Sequence, residues 1–130
     1  MGAWDTGPFD NDTAMDLLGE LAELDLEQRG GRVLEALDLP DGHLGDPAAQ
    51  EAMAAAALVA GACGMEIREP GEAAQLVAVG GLPTGVDERE LAKYALLRIS
   101  GTDSDWRDHW AEDGSLDEAL TTCEDIGDYL

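Results

Sequence analysis

Positive charge is scarce in this sequence. Of its 130 residues, seven are Lys or Arg, with Lys93 the single lysine, against 29 Asp and Glu, for a formal net charge of -22. A surface that binds nucleic acid needs clustered cations to meet phosphates, and an anionic membrane asks for the same, so the balance argues against both as direct partners. Aromatic side chains are scarce too, at 5% of residues with one phenylalanine, although the apolar fraction is 45%. The apolar content is therefore mostly Ala, Leu and Val, a mixture that suits closely packed helices. Cysteine is nearly absent: Cys63 and Cys123 match neither a disulfide framework nor a zinc-ligand spacing and read as reduced, buried thiols. The longest apolar run, from Ala52 to Met65, is largely alanine and falls short of the ~20 residues a bilayer span requires. The opening ten residues contain neither a basic nor an apolar segment, so no signal peptide is read and a cytoplasmic location is expected. His43 and His109 are the only histidines, and neither has a second His or a Cys at metal-ligand spacing. No nucleophile elbow, phosphate loop or HExxH pattern occurs, and no cofactor is expected.

What is present reads as one helical domain over 1–130, with residues 1–10 as an N-terminal arm. In the arm, Gly2, Gly7 and Pro8 surround Trp4 and Phe9, two rings that would anchor it on the core. Asn11 or Asp12 then caps a helix whose apolar positions are Ala14, Leu17, Leu18, Leu21 and Leu24. A second pattern through Val33, Leu34 and Leu37 is expected to begin after Gly30 and Gly31 or to kink there, since each glycine disfavours a helix interior by ~1 kcal/mol. Asp46 is read as the cap of a third helix with Pro47 at its first position. That helix is apolar almost all round from Ala52 to Cys63, the pattern of an element covered on several sides. The run 73–79 fits a short helix or a strand, with helix the preferred reading. Asp87 and Glu90 stand at capping-box spacing before Leu91, Ala92, Ala95, Leu96 and Ile99. Two shorter helices follow, near 104–112 and 116–129, with Gly114 between them. The fold class is all-α, a compact bundle of five or six helices with an ordered N-terminal arm.

Residues 1–12, Met-Gly-Ala-Trp-Asp-Thr-Gly-Pro-Phe-Asp-Asn-Asp, closely resemble the start of a bacterial family catalogued as domain of unknown function 4259. Gly2, Trp4, Gly7, Phe9, Asp10, Asn11 and Asp12 match the family pattern, whereas Asp5 stands where that pattern has glycine. The Ala-rich helix and the 104–112 segment with Trp110 are similar as well. The resemblance implies a bacterial, helical protein and supplies no catalytic residue.

The polar constellation with most to say is Asp105, Asp108 and Glu112, whose spacing places them along one helix face. Like charges so arranged are mildly unfavourable in a helix, which the protein tolerates for solvation or uses for a partner. Trp106 and Trp110, four apart on the same helix, add an aromatic pair, and an exposed Trp106 would serve as a binding anchor. Three function classes stay open. One is a non-catalytic acidic module, an immunity-type or antitoxin-like inhibitor that docks on a basic protein. Another is a nucleic-acid mimic, and the third an enzyme with a carboxylate site in a cleft. A salt-rich cytoplasm would also account for the charge.

Overall fold

The computed structural model describes residues 6–130. The anchor expected of Trp4, and the family positions Gly2 and Asp5, lie outside them. The described residues form seven α-helices: α1 (Asp12–Glu23), α2 (Leu26–Leu37), α3 (Asp46–Ala62), α4 (Gly71–Val79), α5 (Val86–Ser100), α6 (Asp105–Asp113) and α7 (Leu116–Gly127). The all-α expectation holds, while the count rises from five or six to seven because the short run at 73–79 is helical and extends back to Gly71 as α4.

Helix α3 is the centre, and its composition explains why. Alanine has the best helix propensity and loses no side-chain entropy on burial, so a helix built mainly of alanine can be enclosed at little cost. Every residue from Ala52 to Gly61 is buried, and α3 packs against all of the other helices. Because α3 adds only Met53, Leu58 and Val59 as larger buried side chains, much of the bulk of the core comes from its neighbours. They supply it as Leu17, Leu18 and Leu21 from α1, Val33 and Leu37 from α2, Ile99 from α5, Trp106 and Trp110 from α6, and Ile126 from α7.

Three helix starts differ from expectation, each for a local reason. Helix α2 begins at Leu26 and carries Gly30 and Gly31 inside it rather than starting after them. The early start places Arg29 in the first turns, where its buried guanidinium donates from Nε to the Leu21 carbonyl at 2.9 Å and from Nη2 to that of Ala22 at 3.5 Å. A cation on the last carbonyls of α1 meets the negative end of its dipole and gives the Leu21 carbonyl a second donor besides the Leu24 N–H. This offsets the glycine penalty. The 80–81 turn lies across the same start: Gly81 has φ +87°, and a Cβ there would stand 2.8 Å from the Leu26 carbonyl oxygen, so only glycine fits. In α3 the cap is Gly45 and Asp46 is the first helical residue, one place later in role than read from the sequence. In α5 the cap is Gly85, and Asp87 lies in the first turn instead of capping it. Both carboxylates still face the electropositive helix start.

Between α2 and α3, the chain meets the segment leading into α6. Leu44 and Ser104 form an isolated parallel bridge, with the Leu44 N–H donating to the Asp103 carbonyl at 3.0 Å and the Asp105 N–H to the Leu44 carbonyl at 2.9 Å. Both bridge residues are fully buried, and the pairing fixes where α6 begins.

Candidate functional site

The described family-like residues, Gly7, Phe9, Asp10 and Asn11, build a lock at the entry to α1. Asp10 closes a turn on Gly7 from both directions: its carboxylate accepts from the Gly7 N–H at 3.1 Å, and its own N–H donates to the Gly7 carbonyl at 3.2 Å. A Cβ on Gly7 would displace that carboxylate from its hydrogen bond. Asn11 caps α1 as expected, its Oδ1 accepting from the Ala14 N–H at 2.7 Å, while Asp12 sits exposed in the first turn. Phe9 is buried, as the anchor reading expects. The Thr6 hydroxyl donates to Glu118 on α7 at 3.0 Å, tying the arm to the far end of the chain.

Helix α6 has two sides. Asp105, Asp108 and Glu112 are exposed on one, as their spacing predicts. Trp106 and Trp110 are turned the other way, 4% and 7% exposed, so neither ring is available at the surface. This corrects the expectation of an exposed Trp106 anchor beside the acidic face. The reason is demand from the core, since an alanine-rich α3 leaves space that only large side chains on α6 can fill. Ser104 caps the helix by accepting from the Arg107 N–H at 3.4 Å.

The acidic face has a further member that helical spacing does not reveal. His43, 62 residues before Asp105, stands between two carboxylates, with Nδ1 2.6 Å from Asp103 and Nε2 2.5 Å from Asp105. The imidazolium donates to Asp105, the larger influence, and to Asp103, and these hydrogen bonds raise its pKa from 6.5 to about 9. Because the folded value lies above the unfolded one, the clamp stabilises the fold fully below about pH 6.5 and loses that contribution as pH rises through about 9. The difference in melting temperature between the wild type and His43→Gln is therefore expected to be constant in mildly acidic buffer and to vanish above about pH 9, as read by thermal melts across that range.

Where the arm, α3 and α6 meet, a small cavity of about 10 Å³ is lined by residues that include Gly7, Asn11, Asp46, Trp106 and His109. It has room for about one water molecule and none for an organic substrate. Burial there raises the pKa of Asp46, and the nearby His109 opposes the rise. His109 also packs edge-on against Trp110, with ring centroids 5.0 Å apart. Among the described residues, no group of three or more His, Cys, Asp or Glu is placed to hold a metal ion, and no helix is long and apolar enough to cross a membrane. The two cysteines are free. Burial pushes the Cys123 thiol up to about 12, which leaves it unreactive at neutral pH.

A helical protein with a hydrogen-bonded turn at 7–10 before its first helix, an alanine-rich central helix and carboxylates exposed along α6 is the class that the described residues define. Residues 2–122 match the model of domain of unknown function 4259, and the chain belongs to that family. No curated protein and no solved structure matches it.

Proposed function

We propose that the chain is a non-catalytic acidic module that docks on a basic partner protein, in the manner of an immunity-type or antitoxin-like inhibitor. The observation that carries this reading is where the few cations are held. Arg29 donates to Leu21 and Ala22, Arg98 to the carbonyls of Pro40 and Gly42, and Arg107 to that of Ser100. Arg32 is gathered among Glu20, Glu35 and Glu51, which raises its pKa further. These four of the six arginines thus serve joints within the fold, with Arg68 exposed beside Glu66, while Asp108, Glu112, Asp113, Asp117, Glu124 and Asp125 face solvent along α6 and α7. A surface sorted in this way projects one sign of field, which speeds encounter with an oppositely charged protein and selects against acidic ones.

The test replaces Asp105, Asp108 and Glu112 together by Asn, Asn and Gln. A partner captured at low salt is identified, and its association rate with each protein is followed by stopped flow. The triple variant is expected to associate roughly 3- to 10-fold more slowly than the wild type, with a shallower salt dependence. Because Asp105 also holds His43, the Asp108→Asn/Glu112→Gln pair is measured beside it and isolates the field from the clamp. Unchanged rates in both variants remove this face from the reading. A captured partner that is a nucleic-acid-binding protein, displaced by its own nucleic acid, would turn the reading into that of a mimic. A fold that needs molar salt for stability would instead assign the charge to a saline interior.

A further inference from the structure

Buried Trp106 and Trp110 leave the acidic surface without the aromatic anchor that a specific interface needs, and α5 provides a different one. The buried stripe of α5 is Ala92, Ala95, Leu96 and Ile99. At 100° per residue, Tyr94 and Leu97 fall on the opposite side. They are 58% and 69% exposed, Leu97 being the most exposed large apolar side chain among the described residues. Leu97 is also the ridge between two depressions. On one side a groove of about 310 Å³ runs between α5 and α7, formed by Lys93, Leu96, Leu97 and Ser100 with Cys123 and Glu124, and its wall is almost wholly apolar. On the other a depression of about 420 Å³ is lined by residues that include Asp41, Tyr94 and Asp103.

We infer that the Leu97 ridge and the α5–α7 groove dock an amphipathic helix of a basic partner protein, its apolar side in the groove and its cations on the surrounding carboxylates. The inference rests on the acidic-module reading and specifies the surface and the partner element. Three observations select the occupant. The α5 wall, Lys93, Leu96, Leu97 and Ser100, runs for two helical turns, roughly 10 Å, which is long enough to seat about two turns of a partner helix. The flanks carry Glu124 on one side and Asp41 and Asp103 on the other, and Asp103 continues through His43 to Asp105 and the α6 face. The cations nearby are Lys93 and Arg98, and Arg98 is engaged by the Pro40 and Gly42 carbonyls. A second copy of this chain is the wrong occupant by charge, since each copy carries -22 and would bring carboxylates to carboxylates.

The probe is a fluorescein-labelled 18-residue peptide of leucine and arginine, patterned to form an amphipathic helix, beside a peptide of the same composition in scrambled order. Anisotropy titrations are run at low and at physiological salt. The patterned peptide is expected to bind at least tenfold more tightly than the scrambled one. Tyr94→Ser/Leu97→Ser, which removes exposed side chains and should leave the circular dichroism unchanged, is expected to abolish that preference while sparing the scrambled peptide. Shift changes on patterned-peptide binding should fall on α5 and α7 in NMR spectra. Equal binding of both peptides, unaffected by the double variant, overturns the groove and leaves the acidic-module reading standing on charge alone. Failure of both peptides to bind at low salt overturns the groove and the acidic-module reading together. A wild-type dimer in sedimentation that Tyr94→Ser/Leu97→Ser dissolves also overturns the inference, by making the occupant a second copy.

Discussion

Trp106→Ala is expected to lower folding stability by about 4 kcal/mol, within the range for truncating a buried tryptophan. The ring is 4% exposed and borders the small cavity shared with Gly7, Asn11 and Asp46, so truncation enlarges a void that already exists. Collapse into that void is hindered because the bridge between Leu44 and Ser104 holds the start of α6 in register. The loss should therefore include most of the cavity term and little relaxation. Urea denaturation checks it: the midpoint falls while the slope with denaturant stays near that of the wild type. Tyr94→Ser, at an exposed site, should stay within about 0.5 kcal/mol of the wild type and serves as the comparison. A Trp106→Ala protein as stable as the wild type would return the ring to the surface and reopen the anchor reading.

Phe9→Ala is expected to cost about 3 kcal/mol, the lower end of the range for phenylalanine, because the ring borders open grooves that a relaxed chain can partly close. Phe9 shares one of these, about 210 Å³, with Met65, Ile67 and Ile126. It is thus the contact by which the arm's turn reaches both the segment after α3 and the end of α7. Without the ring, the Gly7–Asp10 turn and the Thr6 to Glu118 hydrogen bond remain, but both are partly exposed and worth ~1 kcal/mol each. Limited proteolysis should then cut near residues 6–10 much faster in the variant, alongside the lower urea midpoint. Wild-type resistance would mean that the hydrogen bonds alone hold the arm.

Much of this architecture could be read from residue order, and the misses share a cause. Asn11 with its apolar successors, the all-round apolar α3 and the break at Gly114 are local signals, and each lies where its chemistry says. The start of α2 was not legible, because the glycine penalty is a local quantity whereas the Arg29 bonds that outweigh it depend on where α1 ends in space. His43 was invisible for the same reason: only the pairing of Leu44 with Ser104 brings it to Asp103 and Asp105. The inward side of α6 is legible in the spacing of its tryptophans. At 100° per residue Trp106 and Trp110 lie nearly opposite Asp105, Asp108 and Glu112, which makes α6 an amphipathic helix with its aromatic side inward. Tyr94 and Leu97 carry the complementary signal, two large side chains off the buried stripe of their helix, and that signal marks surface rather than core.

Four consecutive alanines, Ala54 to Ala57, are 0% exposed, and four residues make more than one full turn of a helix. No direction around that turn faces water, so no neighbouring helix can swing away without wetting α3. Opening one layer therefore removes support from the rest, and the helices lack the independence that lets larger folds breathe in parts. Backbone amides in the middle of α3 would exchange with solvent only when the whole molecule unfolds, and their exchange rate reads the global stability directly. Motions of the folded protein must then come from side chains and from exposed stretches between helices, such as 38–43 with its His43 clamp, rather than from helices moving as units.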